Sequence, residues 1–193
     1  MPKQQATTIN IFVDYTPDDE SIASEVLKHL SFLNFQYKIE IWHHGMIRAG
    51  QRRDVLQAAA LGKADIVLLI VSSDYLSSKS YQQYEKEFVR MCESRAATFI
   101  PILAKTSMWD FSPLGRFGIR SLPTEDKTIF HSRNKAQTYT EIVQDLIPVI
   151  EMKLEEKPKE KAKFEEELEK KVEQTTIAEK GNENVQNEDK DLK

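Results

Sequence analysis

The sequence predicts an α/β protein: a five-stranded parallel sheet with helices on both faces, followed by a charged C-terminal extension. Two observations carry the sheet. Short runs rich in β-branched and aromatic residues alternate about five times with stretches of helical periodicity. One of these runs, Ala64–Val71, is apolar almost throughout, the pattern of a strand covered on both faces. The extension follows from charge. Of 31 Asp/Glu and 27 Lys/Arg, thirteen acids and nine lysines lie in residues 155–193, which leaves 18 of each sign in residues 1–154. Only Phe164 of the 17 aromatic residues lies in that tail, so the apolar material needed to offset chain entropy belongs to the first 154 residues. The expected organisation is a disordered N-terminus over residues 1–8, one domain over 9–154, and a helical or disordered tail over 155–193.

The first strand is expected over Ile9–Val13, ending at Asp14. Thr16-Pro17-Asp18-Asp19 then opens a helix, with a capping residue, a proline at the first helical position and acids at the positive end of the dipole. Ile22, Val26, Leu30 and Leu33 continue it at helical spacing. A second strand, Lys38–Trp42, runs into the polar segment His43–Arg53, and a helix from about Gln51 to Leu61 stops at Gly62. The third strand leads to a loop holding Ser72, Ser73 and Tyr75, and a helix is expected from about Ser80 to Glu93. The fourth strand, Thr98–Ala104, carries Pro101, which suits an edge better than a centre. A long loop over residues 105–126, a short strand Thr128–Phe130 and a last helix with Tyr139, Ile142, Val143, Leu146 and Ile150 complete the domain. Pro148 inside that pattern predicts a kink. In the tail, Phe164, Leu168 and Val172 give a narrow apolar stripe among Glu/Lys repeats.

Charge balance in the domain argues against nucleic acid as a partner, because backbone binding needs clustered Lys/Arg. MPKQQATTIN has no apolar signal stretch, and the longest apolar run, Ile66–Val71, is too short to span a bilayer. The expectation is a cytoplasmic protein with no membrane partner. The single cysteine, Cys92, agrees with a reducing compartment and sits where a core thiol is expected. The six glycines form neither a dinucleotide-binding fingerprint nor a phosphate loop. His43-His44 has no partner spaced for metal, so no metal and no resident cofactor is expected. A phospho-acceptor receiver would need an aspartate ending the third strand, where Val71-Ser72-Ser73 stands instead.

In parallel sheets of this kind function gathers at the C-terminal edge. Asp14, Tyr15, Ser73, Tyr75, Tyr81 and Glu85 are brought to that edge by the element order, with Tyr81 four residues before Glu85 on one helical face. Tyrosines stack planar rings, and a carboxylate stabilises positive charge developing at a sugar carbon. The plainer reading is a surface glutamate paired with Lys86 or Lys79 beside core tyrosines.

Several segments together resemble the Toll/interleukin-1 receptor (TIR) domain in its bacterial form. Ile11-Phe-Val-Asp-Tyr15, with Asp18 or Asp19 after it, is similar to the first box of that family. Trp42-His-His-Gly-Met-Ile-Arg-Ala-Gly50 is similar to the segment opening its mobile loop, and Ala64–Ser77 to its central strand and following turn. Ile100-Pro-Ile102, Trp109 and Leu122-Pro123 match later landmarks. The resemblance implies a flavodoxin-like sheet and, for many members, cleavage of the nicotinamide–ribose bond of NAD by a glutamate with an aromatic residue four positions before it. That pattern falls on Glu85 and Tyr81, and Glu87 fits the register less well. The resemblance further implies NAD contacts from Asp14, Tyr15, Trp42, His44, Ser73, Tyr75 and Tyr81. It also implies an assembly loop carrying His43, Gly45, Ile47 and Gly50, ordered by other TIR domains, and a separate sensor protein as a possible partner. Asp14, His44 and Gly45 stand where the family usually has serine, aspartate and arginine. The expected function is an NAD glycohydrolase, or a cyclase at the same site, switched on by self-assembly in prokaryotic defence or signalling. Its rivals are a non-catalytic TIR adaptor and an enzyme passing ADP-ribose to another acceptor.

Overall fold

The computed structural model describes residues 7–124 and 127–158. Contacts divide the chain into two units, Met1–Lys153 and Leu154–Lys193, and of the second only the helical residues 154–158 are described. The tail stripe Phe164, Leu168 and Val172 and most of the expected N-terminal segment lie outside the described residues.

Four strands, β1 (Ile9–Asp14), β2 (Ile39–His43), β3 (Ile66–Val71) and β4 (Thr98–Leu103), form a parallel sheet in the order β2-β1-β3-β4. The apolar run of β3 is buried at every position, with Ile11 opposite Ile66 on one side and Ile66 opposite Thr98 on the other. Because successive side chains point to opposite faces, Val67, Leu69 and Val71 serve one core, while Ile66, Leu68 and Ile70 serve the other. The first core gathers Phe12, Leu61, Tyr75, Tyr81, Phe88, Phe99, Trp109 and Leu114.

The helices follow their sequence signals. Pro17–Asp19 forms a 3-10 turn with proline at its start, and α1 (Glu20–Ser31) buries Ala23, Val26 and Leu30. The helix α2 (Arg53–Leu61) starts two residues later than the periodicity suggested and ends at Gly62. The expected loop after β3 is instead a short helix, α3 (Ser73–Ser77), followed directly by α4 (Lys79–Glu93). Two serines cause this. Ser72 Oγ accepts from Tyr75 N at 3.0 Å, and Ser78 Oγ accepts from Tyr81 N at 3.1 Å, so each satisfies an orphan donor at the start of a helix. A last helix, α5, covers residues 135–153 of the first unit and passes through Pro148 without a break. Pro148 lies on an exposed position of that helix, where water can reach the carbonyl that its missing N–H leaves unpaired. The rings of His29 in α1 and Tyr139 in α5 lie 5.6 Å apart.

The expected fifth strand, Thr128–Phe130, is absent from the sheet. Residues 129–131 form a turn, closed by Thr128 Oγ1 and His131 Nδ1 at 2.8 Å. The place beside β4 is taken by one residue, Leu122, through a single parallel bridge to Ile102. Leu122 N donates to Pro101 O at 2.8 Å and Leu103 N donates to Leu122 O at 2.7 Å. Pro123 follows immediately and has no N–H with which to continue the ladder. The same bonds explain Pro101: its carbonyl faces Leu122, so its missing N–H also faces away from β3 and removes no β3–β4 bond.

The loop after β4 packs by close backbone approach. A Cβ built on Gly115 would stand 2.1 Å from the Trp109 carbonyl oxygen and 2.8 Å from its carbon. Trp109 is itself buried. Gly115→Ala is therefore expected to destabilise the domain by at least about 2 kcal/mol, since backbone rather than a flexible side chain must yield. Urea unfolding of the two proteins checks this, and equal midpoints would contradict the packing described.

Candidate functional site

The segments leaving β1, β3 and β4 meet at the C-terminal edge of the sheet around two buried carboxylates. Asp14, the last residue of β1, accepts a hydrogen bond from Tyr75 Oη at 2.9 Å. Burial pushes the Asp14 carboxyl up to about 6, against opposing effects of the Tyr75 hydroxyl, the Arg53 guanidinium and the Tyr15 N–H. Asp19, with 0% of its surface exposed, accepts a hydrogen bond from Ser72 Oγ. Lys105 Nζ stands 2.8 Å from Asp19 Oδ1, within ion-pair distance but poorly aligned for a hydrogen bond, and 3.2 Å from Asp74 Oδ2. Those carboxylates raise the Lys105 pKa.

Tyr75 and Tyr81 were expected to offer stacking faces, and the structure corrects their placement. They are 0% and 2% exposed, with ring centroids 5.0 Å apart in the core. Tyr81 Oη has no well-aligned hydrogen-bond partner, although Glu85 and Ser112 stand beside it. Burial and the nearby Glu85 charge raise its pKa. A line of contacts thus runs from Asp14 through Tyr75 and Tyr81 to Glu85 on α4.

Glu85 is half-buried and has no basic partner within ion-pair distance among the described residues. Of the plainer reading of the sequence, the core tyrosines are what the structure contains, while the pairing of Glu85 with Lys86 or Lys79 is not found among the described residues. Glu87, by contrast, is held by Arg90, whose Nε donates to Glu87 Oε2 at 3.0 Å. The guanidinium lowers the Glu87 pKa, as in an ordinary surface pair three residues apart.

The other expected residues divide into two groups. Tyr15 is buried, with its hydroxyl hydrogen-bonded to His43 Nδ1 at 3.2 Å and its ring 4.1 Å from that of His44. Burial lowers the pKa of both histidines, and for His44 Arg53 and His43 add to the effect. His44 to Met46 form a 3-10 turn, closed by Ile47 N donating to His44 O at 3.1 Å. A Cβ on Gly45 would meet the His43 ring at 3.0 Å, and Gly50 adopts φ +83°, where glycine is favoured. Trp42 stacks on Phe12 at 4.9 Å, and Ser73 donates to Thr106 O at 3.2 Å. Neither is brought to Glu85 by any of these contacts.

Sequence reasoning missed Asp19 as the better buried of the two acids after β1, and it missed Gln57, Arg53 and Tyr84. Tyr84 is half-buried beside Phe88, and its pKa is raised by burial, then by the charges of Asp14 and Asp54. The signal for Gln57 was faint: it stands four residues before the buried Leu61 on α2, but also four after the charged Arg53. Among the described residues no group of three or more His, Cys, Asp or Glu could hold a metal ion, and no helix is long and apolar enough to cross a membrane.

A parallel α/β sheet with acids at its C-terminal edge and a polar loop after β2 defines a broad class of domain. Residues 11–128 match the TIR domain family, and the chain belongs to it. It is also similar to an uncharacterized protein, y4lF, of Sinorhizobium fredii (strain NBRC 101917 / NGR234), at 33% identity over 125 residues. That match covers 62% of this chain and 37% of the relative.

Two outcomes are expected from this geometry. With the Asp14 pKa raised from its ordinary 3.8 to about 6, the folded state holds the proton more tightly than the unfolded chain. Its contribution is therefore fully present below about pH 4 and is lost as pH rises through 6, by up to about 3 kcal/mol. Asp14→Asn should remove that dependence, as read from chemical unfolding between pH 4 and 8. A wild-type and variant pair differing by a constant amount across this range would contradict the burial described. Tyr81→Ala should cost about 3–5 kcal/mol, as for a core aromatic, and a thermal midpoint unchanged within a degree would return Tyr81 to an open surface.

Proposed function

We propose that this TIR domain cleaves NAD at the nicotinamide–ribose bond and that Glu85 is its catalytic residue. The observation that carries the reading is the state of Glu85: a half-buried carboxylate on α4, four residues after Tyr81 and free of any basic partner among the described residues. An uncompensated carboxylate is suited to a cation. In the reaction the bond between the ribosyl anomeric carbon and the pyridinium nitrogen breaks. Its electron pair passes to the nitrogen and gives neutral nicotinamide, so no general acid is required. The charge left on the sugar is oxocarbenium-like, and Glu85 stabilises it or holds a ribose hydroxyl. Water adds at the anomeric carbon and loses a proton, giving ADP-ribose. An internal adenine nitrogen in place of water would give the cyclic product.

The loop from His43 to Gly50 completes the site in an assembly of TIR domains, with His43, His44, Gly45, Ile47 and Gly50 as its mobile part. The role is that of a prokaryotic defence or signalling effector, with a separate sensor as the partner that triggers assembly. One observation favours a second reading, a TIR adaptor without catalysis. Tyr75 and Tyr81 are buried, so this chain by itself offers neither ring to stack nicotinamide.

Glu85→Gln keeps size and removes charge. It should lower nicotinamide release by at least about a hundredfold, with the melting midpoint preserved. Release is measured chromatographically at high protein concentration, with Glu87→Gln run alongside. Full activity in the Glu85 variant with loss in the Glu87 variant would move the assignment. Absence of release from the wild type under crowding would favour the adaptor.

A further inference from the structure

Between the N-terminal halves of α2 and α4 lies a cleft of about 400 Å³ that the preceding reading does not use. Its charges do not cancel. Arg53 and Lys79 line it, both exposed, and neither has a carboxylate within ion-pair distance among the described residues. The single acid in the lining, Asp54, is already taken by Arg52 at 2.6 Å. Lys79 and Ser80 open the 15-residue α4, so the positive end of that helix adds to the field.

A second observation is independent of charge. Gln57 lines the same cleft, is only 2% exposed, and its Nε2 has no hydrogen-bond partner. Its Oε1 accepts only a long contact, 3.5 Å, from Arg53 Nε. A buried amide donor left unpaired is unfavourable by itself, and leucine would fill the same position of α2 without that penalty. An acceptor arriving in the cleft would satisfy it. The acceptor best matched to a guanidinium fork, an ammonium, a helix start and an amide N–H is a phosphoryl group.

We propose that this cleft binds the diphosphate of a dinucleotide, with Arg53 and Lys79 holding its charge and Gln57 donating to a phosphoryl oxygen through Nε2. The proposal rests on the NAD reading for the identity of the dinucleotide but not for the existence of the site. The geometry is compatible with both. Tyr84 lines the cleft and directly precedes Glu85 on α4, which points about 100° further around the helix. Asp14, buried at the adjoining strand end, feels the Arg53 charge without forming an ion pair with it.

Titration calorimetry of the full chain tests this with three probes: inorganic pyrophosphate in EDTA, ADP-ribose, and adenosine as an uncharged control. Pyrophosphate and ADP-ribose should bind and compete, and adenosine should not displace pyrophosphate. The Arg53→Gln, Lys79→Gln double variant, altered only at exposed positions, should bind both at least tenfold more weakly. Gln57→Leu separates a ligand role from a structural one. It should raise the melting midpoint, by removing the orphan amide, while weakening pyrophosphate binding several-fold. No binding of pyrophosphate at millimolar concentration, equal affinity in the double variant, or a lower midpoint with unchanged affinity in Gln57→Leu would each overturn the proposal. Binding of both phosphates without nicotinamide release from NAD would leave this site standing and end the catalytic reading. Release with an unchanged KM for NAD in the double variant would do the reverse.

Discussion

A carboxylate with no exposed surface, Asp19, ties together the segments that leave three strands. It sits at the start of α1 and accepts from Ser72, the residue after β3, while Lys105 reaches it from the segment after β4. Ser72 is committed on both sides, because the same hydroxyl oxygen accepts from Tyr75 N and so begins α3. Leaving such a charge unpaired in the interior costs about 3–5 kcal/mol, so each of these segments is held where it is by the others. Tyr75 can then reach Asp14, and α4 can begin at Ser78 with Tyr81 facing inward. The position of Glu85 is set several contacts away from Glu85 itself.

The parts of this arrangement legible in the sequence are those that periodicity encodes. The unbroken apolar run of β3 announced a strand buried on both faces, and Pro101 marked the fourth strand as weaker for a central place than its neighbours. The spacing of Tyr81 and Glu85 placed them on one helical face. It could not say how deeply that face is buried, because a tyrosine carries both a large apolar ring and a hydroxyl and suits either environment. The core took both tyrosine rings. The short run Thr128–Phe130 had the composition of a strand, but its threonine hydroxyl found His131 locally and closed a turn. A lone Leu122 before a proline gave no periodic signal at all.

The two glutamates of α4 show why register needs tertiary context. Glu85 and Glu87 differ by two positions, about 200° around the helix, so they cannot share surroundings. One meets Arg90 a turn later on the surface; the other stands beside the Tyr81 hydroxyl at the edge of the aromatic core. Similar chemistry in the chain thus becomes an ordinary surface pair at one position and an unpaired charge at the other. Arg53 has a comparable ambiguity: it is a polar residue opening α2 in the sequence and a charge acting on the buried Asp14 in the fold.

The bridge at Leu122 also makes the sheet one-sided. On the β4 side, Leu122 and the N–H groups of Ile129 and Phe130 occupy backbone groups that another strand would need. On the β2 side, Ile39–His43 pairs only with β1 among the described residues, which leave its outer row of donors and acceptors open. Further strands, whether from misfolded copies or from a crowded solution at high temperature, have a template in only one direction. That template is five residues long and carries the exposed Glu40 at its second position. A short ribbon with a charge near its start is a poor seed for fibrils, and it keeps a sheet whose central strands are strongly apolar from growing sideways.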